Sequence, residues 1–329
     1  MRDALHMARP APMAPPHAAR PLIALVFEGL SEAPKHLPST LLFDAIGSVA
    51  YDALCARPEH YLARTEDALL LRHAADIAAL AGPRAALIDY GAGDGRQARL
   101  LLQALADPVA YVPLDVESTQ LRFARERMRT FRPRLPVLPL CQDLRDYVVL
   151  PLAVARAPRK VALLGGTPFD TFRPLEAVAV LNAIRETLGA RGGLVVGVDL
   201  RKDPDVMCGA FDDAGGRAGA LNRNVLERIN RELEATFEPL AFRHAARWNE
   251  SQQRVEMALV SQDAQVPRVA GIGVPLGVNE EIVTLHSYKY TPEGFATLAH
   301  IAGWTVRETW TDAQQRYRLH YLAGPDDDA

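Results

Sequence analysis

An α/β fold, a mostly parallel sheet with helices on both faces, is what this sequence predicts, and three observations predict it. The first is a short apolar run, Ala85-Ala-Leu-Ile-Asp-Tyr90. It leads into the glycine loop Gly91-Ala-Gly-Asp-Gly95 and then into a helix-like stretch, Arg96 to Leu105. The second is another apolar run, Tyr111-Val-Pro-Leu-Asp115, which also ends in an acid. The third is that strand-like and helix-like runs go on alternating to Asp199, through Lys160-Val-Ala-Leu-Leu164 and Gly193-Leu-Val-Val-Gly-Val-Asp199. Strands that alternate with helices imply parallel pairing, since each crossover helix returns the chain to the same end of the sheet.

Strand, glycine turn, helix, strand is a Rossmann-like layout, and ligands bind such sheets at the carboxyl ends of the strands. The glycines at 91, 93 and 95 allow a sharp turn and close approach of the backbone to a ligand. Asp115, ending the second strand, can accept from both hydroxyls of a ribose. Asp89 precedes the loop, where it would repel a pyrophosphate, so a dinucleotide is disfavoured. A third acid stands in Cys141-Gln-Asp-Leu144, after the apolar run Arg134-Leu-Pro-Val-Leu-Pro-Leu140. Asp143 can accept from the exocyclic amine of adenine, and Leu144 can pack on its ring. Together these features favour S-adenosylmethionine as cofactor. The competing reading is a plain α/β domain with surface acids at its strand ends.

Composition narrows the function classes. The chain has 329 residues and a net charge of −3, so no basic field exists to hold nucleic acid or an anionic membrane surface. No apolar run approaches membrane-spanning length. The three cysteines (Cys55, Cys141 and Cys208) are far apart and lack metal-ligand spacing. A reduced, cytoplasmic setting is expected, with no metal and no disulfide framework. Residues 1–20 are rich in Ala, Pro and Arg and lack the apolar core of a signal peptide. They read as a disordered tail, with later starts available at Met7 and Met13.

Two subdomains are expected. A Rossmann-like methyltransferase core would take 62–200 and 288–323. A mixed α+β substrate-binding subdomain would take 21–61 and 201–287. In the second, Leu41 to Leu54 carries apolar residues at helical spacing. Asn222 to Glu234 reads as a helix with Val225, Leu226, Ile229 and Leu233 on one face. Phe242 to Asn249 and Arg254 to Val260 alternate as antiparallel strands, with Arg254 and Glu256 pointing outward. Glu281 to Tyr290 reads as a further strand. In the core, Thr65 is expected to cap a helix that stops at Gly82-Pro83. Thr291 opens a helix to Ala302, a hairpin (Trp304 to Thr311, Tyr317 to Leu322) closes the fold, and the end from Gly324 is solvated.

Several segments carry a resemblance. Phe43-Asp-Ala-Ile-Gly-Ser48, Phe211-Asp-Asp-Ala-Gly-Gly216, Asn222-Arg-Asn-Val-Leu226 and Ile229-Asn-Arg-Glu-Leu-Glu234 are four of them. His244-Ala-Ala-Arg-Trp-Asn249, Arg254-Val-Glu-Met257 and Ser287-Tyr-Lys-Tyr290 are three more. In this order they resemble the histidine Nα-methyltransferases of ergothioneine biosynthesis, from about residue 38 to 322. The resemblance implies an S-adenosylmethionine-dependent N-methyltransferase with an added substrate domain. It puts Gly91 and Gly93 in the cofactor loop, Asp115 at the ribose, and Asp143 and Leu144 at the adenine. Gln97 stands where a loop-helix lysine is usual, and Arg96 beside it is the candidate to compensate.

The substrate pocket departs from that pattern. Phe43 and His60 stand at family tyrosines, Asp170 (in Gly165-Gly-Thr-Pro-Phe-Asp170) at an asparagine, and Phe211 at the tyrosine before Asp-Asp. Leu285 replaces the glutamate that grips the imidazole, while Met257 and Ser287 are kept. Phe43, His60, Gly165, Asp170, Phe211, Met257, Leu285 and Ser287 are therefore the expected substrate-binding residues. Asp170 is the expected catalytic residue, facing a cationic acceptor nitrogen. The substrate implied is a small-molecule amine or amino acid other than histidine, of the kind methylated in secondary metabolism. An amine or guanidine without a carboxylate would suit Asp170, and an aromatic amino acid would suit Leu285. Two alternatives stand beside this: a histidine Nα-methyltransferase that tolerates the changes, and a cofactor-binding partner subunit without chemistry. Methyl transfer mainly requires alignment of an unprotonated nitrogen and exclusion of water.

Overall fold

The structure is a computed structural model and describes residues 21–324. The tail read at residues 1–20 and residues 325–329 of the end lie outside the described residues, while Gly324, read as solvated, is buried because its amide donates to Gly192 O beside the sheet. Among the described residues no helix is long and apolar enough to cross a membrane.

The strand Ala85–Tyr90 is buried along its whole length, as the centre of a parallel sheet must be. It pairs in parallel with Ala110–Asp115 on one side and with Arg159–Leu164 on the other. The full sheet has seven strands. Beyond Arg159–Leu164 come Gly192–Asp199 in parallel, then Tyr317–Ala323 and Thr305–Thr311 as the antiparallel closing hairpin. Because the chain leaves the central strand to opposite sides, its carboxyl end is a topological switch point, where a crevice opens between neighbouring crossovers. Apolar side chains from Leu62–Ala81 and Arg96–Ala104 cover one face of the sheet. Pro174–Leu188 and Pro292–Ile301 cover the other.

A second sheet has four strands: Lys35–His36, Glu281–Tyr288, Arg254–Ser261 and Phe242–Asn249. The helix Arg217–Leu233 lays Val225, Leu226 and Ile229 against it, together with Leu41, Leu42 and Leu54. Inside this layer Asn222 is fully buried. Its amide donates to Ala258 O and its carbonyl accepts from Thr284, so its polarity is satisfied.

Several local expectations change. The helix starts at Leu62, three residues before Thr65, because Leu62 and Ala63 extend its buried face. Thr65 instead donates its hydroxyl to Tyr61 O. The run Leu41 to Leu54 is two elements. A 3-10 turn, Ser39–Leu42, ends at Phe43, and Asp44 then caps the helix Ala45–Cys55 by accepting from the Gly47 amide. The third core strand shrinks to Leu140–Cys141, since Pro136 and Pro139 have no N–H to give to the ladder. Glu256 does not point outward. It is buried and is held by Arg247, Arg254 and Asn249, which makes its burial tolerable. The helix Leu22–Ser31 is an element the sequence reading did not assign.

Trp304, 1% exposed, fills the layer between the sheet and the helices Pro174–Leu188 and Pro292–Ile301, and its indole donates to Leu181 O. Trp304→Ala is expected to lower unfolding free energy by about 3–5 kcal/mol. Chemical denaturation checks this, the midpoint falling while the slope stays near that of the wild type.

Candidate active site

The glycine loop is held by its own backbone. The amides of Gly91 and Ala92 both donate to Leu114 O, at 2.9 Å each. Gly91 has φ +74°, and a Cβ there would stand 2.8 Å from Pro168 Cγ, so this position packs too closely for a side chain. Asp115 then fixes the rim. Its Oδ2 accepts from the Gly93 amide at 2.9 Å and its Oδ1 from the Glu117 amide at 3.0 Å. Burial raises the Asp115 carboxyl above its ordinary range, against the pull of these amides. Each oxygen keeps a second lone pair for a ligand hydroxyl.

These elements wall a cavity of about 650 Å³, inside the roughly 300–1,000 Å³ of small-molecule sites. The structure brings Gly91, Gly93, Arg96, Asp115, Asp143, Leu144 and Gly165 together on its wall, although they come from four crossovers. A ribonucleoside cofactor fits this donor set. It offers acceptors for hydroxyls at Asp115, an acid at Asp143 and an apolar surface at Leu144. Asp143 is steadied by Arg145, whose Nε and Nη2 reach Oδ1 and Oδ2 at 2.9 and 2.7 Å. Asp89 is not among the wall residues. It is buried below the loop, accepts from the Tyr111 hydroxyl at 2.8 Å and is pushed up to about 7 by burial. The acid cited against a pyrophosphate thus acts from beneath the loop.

Glu66 belongs to this wall and was missed. It is 2% exposed, and its carboxylate accepts from the Gly166 amide and Gln97 Nε2, both at 3.0 Å. Burial pushes it up to about 7 in spite of those bonds. The signal was available: Leu62, Glu66, Leu69 and Leu70 share one helical face, and an acid on an apolar stripe asks for a partner. Gln97 also reaches Asp67, which pairs with Arg96 at 3.2 Å. Arg96 therefore neutralises a neighbouring acid as well as facing the cavity.

Apart from Gly165, on the wall of the large cavity, the expected substrate residues fall into two places. Phe43, His60, Phe211, Met257, Leu285 and Ser287 line a second, much smaller apolar cavity. It meets the large one at Phe43, Tyr51, Thr167 and Thr171. Rings stack edge to face along it: Phe43 on Tyr51 at 5.5 Å, Tyr51 on His60 at 5.8 Å, His60 on Phe211 at 5.9 Å. Asp170 lines neither cavity. It is 1% exposed, and its cation is Lys289, whose Nζ lies 3.4 Å from Oδ2. The expectation that a substrate cation must partner this carboxylate is corrected, since the chain supplies one. Lys289 also pairs with Asp199 at 2.7 Å and stands 5.0 Å above the Phe211 ring. Burial would discharge this lysine, but Asp199 and Asp170 outweigh it and hold its pKa above the ordinary value. Burial likewise pushes Asp170 well up, against Lys289. Nothing local to Lys289 in the sequence signals this role, because its partners lie 90 and more residues away.

Fold and cavity define a Rossmann-like enzyme with a nucleoside-cofactor site that meets a small apolar cavity of about 20 Å³. A family model described as "Histidine-specific methyltransferase, SAM-dependent" matches residues 22–324. The chain belongs to that family of S-adenosylmethionine-dependent methyltransferases. It is 35% identical to a histidine N-alpha-methyltransferase of Mycolicibacterium smegmatis, over 90% of this chain and 92% of the other. It is 31% identical to the protein of that name from Mycobacterium tuberculosis, over 91% and 93%. It is 25% identical to an L-tryptophan methyltransferase of Psilocybe serbica, over 91% of each.

Asp115→Asn keeps the shape but weakens the acceptor. It is expected to weaken cofactor binding by about 1.5–3 kcal/mol, the worth of a charge-assisted hydrogen bond. Titration calorimetry with S-adenosylmethionine measures it, and an unchanged Kd would contradict the placement.

Glu66 gives a pH dependence of stability. Its carboxyl ionises near 7 in the folded chain against the model-peptide 4.5. Between these values the folded state holds a proton that the unfolded state has lost, so stability falls as pH rises through the window. Glu66→Gln is expected to flatten the fall between pH 4.5 and 7, measured as denaturation midpoints of the ligand-free protein across that range.

Proposed function

We propose that this methyltransferase transfers its methyl group to the nitrogen of a small-molecule amine or amino acid other than histidine. The observation that carries this is the small cavity walled by Phe43, Phe211, Met257 and Leu285, which has neither an acid nor a base of fixed charge on its wall. An imidazole placed there would meet no carboxylate and so forgo a charge-assisted hydrogen bond, worth about 1.5–3 kcal/mol. Asp170, engaged with Lys289, offers it no substitute. A guanidine or other cation gains nothing from Asp170 for the same reason, so an acceptor with an apolar flank is the better match. The chain is also similar to a protein named for tryptophan, which supports an apolar or aromatic acceptor.

Histidine is the second reading, supported by the family description and by Ser287 and Met257 in the cavity wall. When bound, S-adenosylmethionine supplies an activated methyl on sulfonium. The protein's part is to seat the acceptor nitrogen in line with it and to keep water out. The apolar rings between the two cavities exclude water, and Tyr51, tied to Thr167 at 2.8 Å, sets the width of the opening.

Steady-state kinetics with histidine, phenylalanine, tryptophan, leucine, 2-phenylethylamine and isoamylamine test this reading. Histidine is expected to fall at least about tenfold below the best acceptor in kcat/KM, by the loss of a charge-assisted hydrogen bond to its imidazole. Leu285→Glu is expected to narrow that gap. Histidine as the best acceptor of the wild type would hand the function to the second reading.

A further inference from the structure

His60 lies just before the helix Leu62–Ala81 and is 2% exposed. Its Nδ1 is 2.7 Å from Ala210 O. A carbonyl only accepts, so Nδ1 carries the proton, and Nε2 of the neutral ring carries a lone pair. Nε2 is buried and has no hydrogen-bond partner. The Tyr51 and Phe211 rings, edge-on at 5.8 and 5.9 Å, hold the imidazole plane from either side.

The other polar side chains of the small cavity are already engaged. Tyr51 and Thr167 bond each other, the Thr171 hydroxyl donates to Pro168 O, and Ser287 accepts from Lys289. His60 Nε2 is thus the polar atom of that wall left open, among the described residues. An unmet buried acceptor is costly, and a ligand N–H of the right reach would relieve it. Burial, with Lys289 and Arg64 adding to it, outweighs the opposing Ala210 carbonyl and Asp199, depresses the imidazole pKa and keeps the ring neutral near pH 7.

We propose that His60, through Nε2, accepts a hydrogen bond from the methyl-accepting amine and so directs the nitrogen lone pair toward the cofactor cavity. This rests on the reading of the small cavity as the acceptor seat. The site then takes its amine as the free base, with one N–H on His60 and no carboxylate to hold an ammonium. In the transfer, the nitrogen lone pair forms the N–C bond as the C–S bond breaks, and that bond's electron pair stays on sulfur. The positive charge passes to nitrogen, and the product sheds its proton to water on release. His60 orients the nitrogen and takes up no net proton.

Two substitutions separate this role from that of a strut. His60→Asn keeps a donor for Ala210 O but withdraws the acceptor from the cavity. His60→Gln carries an amide oxygen to the Nε2 position. With the best acceptor of the panel, His60→Asn is expected to lose about 10- to 100-fold in kcat/KM. Its cofactor Kd and denaturation midpoint should stay near wild type, and His60→Gln should recover a good part of the loss.

Nitrogen NMR of the histidine-labelled wild type supplies a readout independent of turnover. With S-adenosylhomocysteine bound, a pyridine-like His60 Nε2 signal should shift on titration with isoamylamine or 2-phenylethylamine. Wild-type kinetics in His60→Asn, or an Nε2 signal indifferent to both amines, would overturn the proposal. A wild type that methylates nothing in the panel would sink the proposed function instead, and the titration would still decide His60.

Discussion

A buried lysine ties this molecule together. Lys289 follows directly on the strand Glu281–Tyr288 of the second sheet, yet its ammonium ends between Asp199 and Asp170 of the core. Asp199 closes the core strand Gly192–Asp199, and also takes Lys202 at 2.6 Å and the Tyr61 hydroxyl at 2.9 Å. A buried ion that lost one of these partners would leave an uncompensated charge, at about 3–5 kcal/mol. The two sheets cannot slide past each other without doing so. The small apolar cavity lies between them, so the same charges that join the layers stand behind its walls.

That constraint also decides the chemistry of the pocket. The charges near the small cavity are paired behind its wall rather than on it: Asp170 with Lys289, and Lys289 with Asp199. What faces inward is apolar or neutral, namely rings, Leu285, Met257 and the imidazole of His60. The cofactor side is the reverse, a rim of acids at Asp115, Asp143 and Glu66. An acidic rim suits a cofactor that carries hydroxyls and positive charge. A neutral seat suits a nitrogen that must be unprotonated to react. The two environments meet across Phe43, Tyr51, Thr167 and Thr171.

The sequence by itself determined the α/β class, the central strand, the glycine loop and the three acids at successive strand ends. These are legible because they are local: an all-apolar run, a turn that only glycine can make, and helices of 3.6-residue period each declare themselves within a few residues. The antiparallel strands Phe242–Asn249 and Arg254–Ser261 declared themselves by alternation in the same way. The pattern at Arg134 to Leu140 misled, because apolar content suggested a strand while two prolines denied it the donors. What only the tertiary structure decided are the partnerships. Asp170 and Lys289 are 119 residues apart, and His60 meets the carbonyl that selects its tautomer across 150. Whether a carboxylate faces a ligand or a lysine, and which imidazole nitrogen is left open, depends on how two sheets pack. No periodicity along the chain encodes that distance.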